Sequence, residues 1–405
     1  MRGPRRSLAV AAVASLAALA AAAPAGQAAS ASLATRLAAA LAAPGVDPSR
    51  TGALVVDLRS GRTVFAHNAV LPLVPASNEK LPVALAVLAA LGPSFRMRTE
   101  VLGEGRLVDR TVWKGNLVLK GFGDPTLSST GLAFLARQVR ALGIRRLTGS
   151  VIGDESWFDR RRAAPGWKPA FLVRESPPLG ALVADRGLVS GAPVPDAALA
   201  AATLFRDKLR RAGVRVRGPV KVAKAGGFPL ASVFSAPLAE ILGALGVQSD
   251  NFTAELLLKQ LGATLAGSGT TAAGAFVARR ILADRRVPLA GVRLADGSGL
   301  SSLDRLTPRT IVAVLEAAWR DRELRRFFVE TLAWAGHTGT LEHRLRRPPA
   351  LGNVRAKTGT TELASALAGY ARDRYAFAVL QNGSPVATDA ARSAQDRVAT
   401  VLAAA

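Results

Sequence analysis

The stretch that decides the fold is residues 75–81, Pro-Ala-Ser-Asn-Glu-Lys-Leu, which ends an extended segment and begins an apolar one. It contains Ser-x-x-Lys, with Ser77 and Lys80 three residues apart. On a helix, residues at this spacing share a face, so we expect the Lys80 amine beside the Ser77 hydroxyl. That pairing suits a nucleophile and its base. Pro82 opposes a helix here, because its missing N–H costs a hydrogen bond unless the helix begins late or kinks.

Two further motifs indicate that Ser-x-x-Lys is functional here, since a lone copy of it is usually a solvated helix face. Ser249-Asp250-Asn251 follows downstream, and residues 357–360, Lys-Thr-Gly-Thr, come after it. These three motifs in this order are typical of the penicillin-recognising serine enzymes.

Three more stretches extend the match: residues 123–127 (Gly-Asp-Pro-Thr-Leu), 248–255 (Gln-Ser-Asp-Asn-Phe-Thr-Ala-Glu) and 296–301 (Asp-Gly-Ser-Gly-Leu-Ser). With the motifs, they span most of the chain. The sequence therefore resembles the D-alanyl-D-alanine carboxypeptidases of serine-peptidase family S13. These are low-molecular-mass class C penicillin-binding proteins that trim or open peptidoglycan cross-links.

The resemblance implies an α+β fold of the serine β-lactamase/DD-peptidase type, a five-stranded antiparallel sheet flanked by helices. Residues 53–58 and 63–66 predict its first hairpin, and two runs near the end of the chain supply later strands. Short strands and helices alternate in between. We therefore expect a discontinuous catalytic domain, residues 30–98 and 235–405, with one inserted α/β domain, residues 99–234.

The family also implies the site residues. The expected catalytic residues are Ser77, Lys80, Ser249 and Asn251, and the expected substrate-binding residues are Lys357, Thr358, Gly359 and Thr360. Ser249 would relay a proton to the leaving amine. Asp250 would point away as a structural residue.

Chemistry supports several of these roles. A serine needs a neighbour to take its proton, and burial together with the nearby Lys357 cation would lower the pKa of Lys80. The motif at 357–360 should lie on an edge strand, where Gly359 lets the substrate backbone approach. Its hydroxyl groups and the Lys357 charge suit a terminal carboxylate.

The resulting hypothesis is a serine-type carboxypeptidase that hydrolyses the D-Ala-D-Ala bond of peptidoglycan stem peptides through an acyl-serine at Ser77. Its other expected partners are β-lactam antibiotics. The same site also fits a DD-endopeptidase, a β-lactamase or an esterase. The alternative of another class is a non-catalytic cell-wall-binding protein, because a fold does not guarantee activity.

Rival chemistries find little support. The histidines are His67, His337 and His343, none of which forms a metal-type pair at i, i+4, so we expect no metal and no cofactor. No Gly-x-Ser-x-Gly surrounds Ser298, which disfavours a Ser-His-Asp hydrolase. Aromatic residues make up 5% of the chain and no run of five Lys/Arg occurs, so nucleic acid is not an expected partner.

The N-terminus predicts export. Arg2, Arg5 and Arg6 precede a largely apolar stretch and then small residues, the pattern of a cleaved signal over residues 1–29. We expect an extracytoplasmic protein, in the periplasm or cell-wall space. Without those three arginines the formal net charge falls from +24 to +21. This charge indicates either solubility or peripheral attraction to an anionic cell wall or membrane surface.

Overall fold

The computed structural model describes residues 1, 3, 31–189 and 191–405. The predicted export signal, residues 1–29, therefore lies outside the described residues except for Met1 and Gly3. Residues 33–405 form a single unit. Among the described helices, none has the length and apolarity needed to cross a bilayer.

The described part of the chain contains eleven helices and fifteen strands. The helices are α1 (Leu33–Leu41), α2 (Lys80–Leu91), α3 (Ser129–Ala141), α4 (Phe171–Arg174), α5 (Ala197–Arg211), α6 (Leu238–Gln248), α7 (Asn251–Ala266), α8 (Thr271–Asp284), α9 (Pro308–Arg320), α10 (Arg325–Val329) and α11 (Thr388–Ala403). The strands are β1 (Thr51–Asp57), β2 (Thr63–His67), β3 (Arg98–Val108), β4 (Val112–Gly121), β5 (Arg146–Leu147), β6 (Val151–Asp154), β7 (Leu188–Val189), β8 (Ala192–Pro193), β9 (Arg215–Val216), β10 (Val220–Val222), β11 (Phe228–Phe234), β12 (Ala333–Trp334), β13 (Val354–Thr360), β14 (Ala364–Ala371) and β15 (Tyr375–Asn382).

The first sheet joins early and late parts of the chain. Its strands are antiparallel, in the order β12-β13-β14-β15-β1-β2. β1 pairs with β15 from Thr51 opposite Gln381 to Asp57 opposite Tyr375. The predicted five-stranded sheet is present, but β12 adds a sixth strand at one edge. Two residues are too few to leave an alternating sequence pattern, so the prediction missed this strand.

Helices cover both faces of this sheet. Alternate side chains of β1 point to opposite faces. Leu54 and Val56 join a hydrophobic cluster with α2, α6, α7, α8 and α9, whereas Val55 joins a cluster with α1 and α11. β14 is buried at every position because it lies between these two layers.

Residues 98–234 build a second sheet with the order β10-β6-β4-β3-β11, to which β5 and β9 add. β3 and β4 form a long antiparallel hairpin, and β4, β6 and β10 run parallel. α3 and α5 bury Leu135 and Phe205 against this sheet in a hydrophobic cluster of its own. Both helices begin at a side-chain cap, Ser128 and Asp196, which accepts a hydrogen bond from the backbone of the first turn.

The fold brings three segments together. The turn that precedes α2 contacts β13 and β14, while α2 itself packs on α7, α8 and α9. The α6–α7 junction reaches the start of α2, where Asn251 contacts Lys80. Ser77 therefore lies between the edge of the first sheet and the helical layer.

We expect the buried apolar side chains of the first sheet to contribute most of its stability. Leu367 on β14 is fully buried, whereas Leu265 on α7 is 51% exposed. We expect Leu367→Ala to lower the free energy of unfolding by about 2–5 kcal/mol and Leu265→Ala to lower it by less than about 1 kcal/mol. Urea-unfolding midpoints measure both. Equal shifts would contradict the assigned packing of β14.

Candidate active site

Ser77 lies in a single 3₁₀ turn, Ala76–Glu79, and Lys80 is the first residue of α2. In a 3₁₀ turn the side chains at i and i+3 eclipse, and Lys80 Nζ lies 3.1 Å from Ser77 Oγ. The helix thus begins after Ser77, which corrects the expectation that one helix carries both residues. Pro82 is the third residue of α2, where a backbone N–H has no partner within the helix, so the late start accommodates the proline.

The Lys80 amine is surrounded by three oxygen atoms. Its Nζ lies 3.1 Å from Ser77 Oγ, 2.8 Å from Asn251 Oδ1 and 2.6 Å from Ser298 O. The amide and carbonyl oxygens can only accept. A neutral amine has two N–H groups and one lone pair, so Asn251 and Ser298 take both hydrogens and the lone pair is left for the Ser77 hydroxyl. This geometry fits a base that removes the Ser77 proton.

Burial tunes both lysines of the site. It lowers the pKa of Lys80 from 10.5 to about 8, while the carboxyl groups of Asp296 and Glu255 act in the opposite direction. Burial also lowers the pKa of Lys357 well below 10.5, and the positive charge of Lys80 lowers it further. Desolvation therefore acts on Lys80 as expected. The repulsion between the two lysines lowers the pKa of Lys357 rather than that of Lys80.

The second motif joins α6 to α7. Ser249 ends α6 in the left-handed region, at φ +59°. Asp250 caps α7 by accepting from Phe252 N at 3.1 Å, and Arg186 donates to its two carboxylate oxygens at 2.7 and 2.9 Å. Asp250 thus has the structural contacts that were expected of it. Asn251, the first residue of α7, turns its side chain to the Lys80 amine.

The third motif, residues 357–360, lies on β13. β12 pairs only with the two residues before it, so β13 has an open side from Lys357 onward, as an edge position requires. Asn78 Nδ2 donates to Lys357 O at 3.0 Å. A Cβ on Gly359 would come within 2.9 Å of Ser77 N. Glycine at this position therefore lets the strand lie directly against the nucleophile turn.

A cleft of about 460 Å³ opens at these three segments. Six of the predicted site residues line it: Ser77, Ser249, Asn251, Thr358, Gly359 and Thr360. The other two, Lys80 and Lys357, are buried beside it. The structure therefore brings all eight predicted residues to one place.

Six residues that line the cleft were not predicted as site residues, and Arg392 and Glu175 are two of them. Arg392 on α11 donates from its guanidinium to Thr360 Oγ1 at 3.2 Å, and the backbone oxygen of Glu175 accepts from Asn251 Nδ2 at 3.0 Å. Both residues line the cleft. Neither lies in a motif, and both are far along the chain from the groups they contact, so no local pattern predicts them.

Buried carboxyl groups lie close to Lys80 and fix the loop that contacts it. Glu255 Oε1 accepts two backbone N–H groups of the 296–301 loop, and burial with the Asp296 charge raises the pKa of Glu255 to about 8. Burial likewise raises the pKa of Glu79 well above 4.5. Asp296 accepts from Gly299 N at 2.7 Å and holds the loop whose Ser298 carbonyl meets Lys80. A sequence feature that could have identified Glu255 is its position as a charged residue within an otherwise apolar helix.

The nucleophile turn depends on the absence of a side chain at Gly299. This residue has φ +82°, and a Cβ there would lie 1.9 Å from Ala76 O and 3.0 Å from Ser77 N. We expect Gly299→Ala to displace Ser77 and slow penicillin acylation by roughly a hundredfold, because small misplacements of reacting groups are costly. The rate of covalent labelling measures this.

Gly267→Ala is the matched control. Gly267 also has a positive φ, +64°, but nothing lies within 4 Å of its Cβ position. Backbone strain is thus similar in the two variants, and only Gly299→Ala adds the clash. Similar labelling rates in both would mean that the clash does not reach Ser77.

Comparisons with known proteins agree with this geometry. The profile of the D-Ala-D-Ala carboxypeptidase 3 (S13) family matches residues 33–192 and 191–405. The chain is 32% identical to a D-alanyl-D-alanine carboxypeptidase of Actinomadura sp. (strain R39), over 90% of this chain and 83% of the relative. It is 33% identical to carboxypeptidase DacB of Mycolicibacterium smegmatis, over 91% and 83% of the two chains.

The fold is shared with solved structures. The crystal structure of penicillin binding protein 4 (dacB) from Haemophilus influenzae matches with a TM-score of 0.80 at 24% identity, over 90% of this chain and 97% of that chain. The predicted DD-peptidase-like fold and the resemblance drawn from the motifs are therefore confirmed. This chain belongs to the D-Ala-D-Ala carboxypeptidase 3 (S13) family.

Proposed function

We propose that this family member is a serine-type, penicillin-binding DD-peptidase in which Ser77 attacks the carbonyl carbon of the D-Ala-D-Ala bond. Ser77 Oγ forms the new bond and its proton passes to Lys80 Nζ. The observation that carries this proposal is the buried Lys80 amine, whose two other neighbours are acceptors only. A neutral Lys80 therefore presents its lone pair to Ser77.

The remaining motif residues complete the acyl transfer. We assign the oxyanion hole to the backbone N–H groups of Ser77 and Thr360, each typically contributing on the order of 3 kcal/mol to transition-state stabilisation. Ser249 relays the proton from Lys80 to the nitrogen of the leaving D-Ala as the C–N bond breaks. Asn251 orients Lys80 and the substrate peptide. Water then hydrolyses the acyl-serine.

The part of the cleft formed by β13 and Arg392 suits a terminal carboxylate. Thr358, Thr360 and Arg392 line it, and the Arg392 guanidinium lies beside the Thr360 hydroxyl. Guanidinium and hydroxyl donors together match a carboxylate well. This cation favours the carboxypeptidase over the endopeptidase alternative.

We further propose the domain division given by the sequence, with residues 99–234 inserted into a catalytic domain of residues 30–98 and 235–405. The separate hydrophobic clusters of the two sheets support it. Export after removal of residues 1–29 would place the protein where stem peptides occur, outside the cytoplasm. The insertion also reaches the cleft: Lys168 bonds Glu362 on the β13–β14 turn, and the Glu175 carbonyl holds Asn251.

Digestion of purified muropeptides tests the proposed reaction. The intact protein should remove one terminal D-Ala from monomeric stems, and a fluorescent penicillin should attach covalently. Ser77→Ala should abolish both, because no other group replaces the nucleophile. Ser60→Ala, an exposed turn serine, is the matched control and should keep both activities.

The products separate the alternatives. Mass spectrometry that finds split dimers without loss of D-Ala would favour an endopeptidase. No product and no penicillin adduct from the folded protein would favour a non-catalytic wall-binding protein. Retained labelling in Ser77→Ala would show that the nucleophile is misassigned.

The pH dependence of acylation tests the role of Lys80. Only the neutral amine can take the Ser77 proton, so the rate should rise with pH and level off above the Lys80 pKa of about 8. Between pH 8 and pH 6 the neutral fraction falls by roughly fiftyfold, and the acylation rate should fall with it. Circular dichroism at each pH controls for folding. A flat profile with an intact fold would exclude Lys80 as the base.

A further inference from the structure

One end of the second sheet carries a dense group of arginines, which we name the distal arginine patch. Its members are Arg110, Arg140, Arg145, Arg146, Arg210, Arg211, Arg215 and Arg217. They come from three separate segments: the β3–β4 turn, the end of α3 with the loop into β5, and the end of α5 with β9. The patch is therefore a product of the fold and not a run in the sequence.

Backbone hydrogen bonds join the second segment to the first and the third to the second. Arg145 N and Arg146 N both donate to Thr111 O, at 2.8 and 3.1 Å, which places them beside the β3–β4 turn. Arg215 N donates to Arg145 O at 2.8 Å. In the β5–β9 pair, Arg146 and Arg215 are direct neighbours in register.

The ends of α3 and α5 join the same surface. Arg210 donates from Nη2 to Val216 O at 3.4 Å, which places it between two other arginines of the patch. A Cβ on Gly213, next to α5, would lie 3.5 Å from Arg140 Nε on α3. All three segments thus meet at one end of the sheet.

Little negative charge compensates the patch. Among the described residues, its only salt bridge joins Arg210 to Asp207 at 3.7 Å, and seven of the eight arginines, all but Arg140, are exposed. Like charges on directly opposed strand positions are destabilising. Anions that lie against such a surface reduce the repulsion between its arginines.

Two exposed leucines near the patch indicate which kind of anionic partner it binds. Leu142, in the loop that leads to Arg145, is 47% exposed, and Leu107, just before the β3–β4 turn, is 41% exposed. Apolar side chains among arginines suit the interface of a bilayer, where the leucines enter the headgroup region and the arginines meet lipid phosphates. A soluble phosphate polymer would use the charges but not the leucines. We propose that the distal arginine patch docks this protein on an anionic phospholipid surface.

The position of the patch is compatible with catalysis. β4 starts at Val112, beside the patch, and runs to Gly121, a length of about 30 Å. Just beyond that end, a Cβ on Gly123 would lie 3.1 Å from the Gln260 side chain of α7. A membrane bound at the patch therefore lies well away from the cleft, which stays open to substrate.

Vesicle sedimentation tests the proposal with the full-length chain. The probe is a vesicle of 30% phosphatidylglycerol and 70% phosphatidylcholine, compared with pure phosphatidylcholine. We expect binding to the anionic vesicles only, weakening as salt rises. Replacing Arg145, Arg146, Arg215 and Arg217 with Gln should lower the partition coefficient at least tenfold, since each basic residue near such a surface contributes roughly fivefold. Leu142→Ser should lower it severalfold.

A control variant with the same net charge shows whether vesicle binding depends on the position of the arginines or only on their number. Replacing Arg59, Arg62, Arg309 and Arg322 with Gln removes the same four charges from exposed positions elsewhere and should change binding less than twofold. Unchanged penicillin acylation verifies folding in each variant, and residues 1–30 are identical in all of them. Three results would overturn the proposal. The first is an equal loss of binding in the control variant, and the second is an absence of binding to anionic vesicles. The third is binding to soluble poly(glycerol phosphate) that Leu142→Ser leaves intact.

Discussion

The buried amine of Lys80 is the interaction on which the rest of the site depends. Its partners come from three segments: the adjoining 3₁₀ turn with Ser77, and two that are distant in sequence, the start of α7 with Asn251 and the 296–301 loop with Ser298. Removing an ammonium group from water is costly unless such partners are in place. The three segments must therefore meet at one nitrogen atom. The same burial brings the pKa of the amine close to neutrality, which a base requires.

Several other ionisable groups share this desolvation. Lys357 is displaced toward its neutral form, and Glu79 and Glu255 toward theirs, so the region contains less charge than its composition suggests. A fold optimised only for stability would place apolar side chains here. The cost of burying these groups is met by the surrounding core, which packs α2 tightly against α7, α8 and α9.

The two sheets divide the work of the molecule. The first is assembled from early and late parts of the chain, and β1 and β15 join them along their full lengths. This leaves the middle of the chain free to build a second sheet without disturbing the nucleophile. Lys168 and Glu175, which flank α4 in the same middle part of the chain, contact residues at the cleft, while one end of the second sheet carries the distal arginine patch. Substrate chemistry and surface attachment are thereby kept apart in space.

The sequence by itself determined the family, the order of the motifs, the hairpin and the eight residues gathered at the cleft. The Ser77–Lys80 pairing and the hairpin follow from short-range spacing, since residues three apart share a face and alternating apolar residues indicate strands. The family and the other site residues follow from the resemblance that the motifs carry. Only the tertiary structure decided that α2 begins at Lys80, that Arg392 reaches Thr360, and that scattered arginines form one patch. Each of these depends on the packing of segments remote in sequence, and the environment that sets the Lys80 pKa exists only once those segments have excluded water.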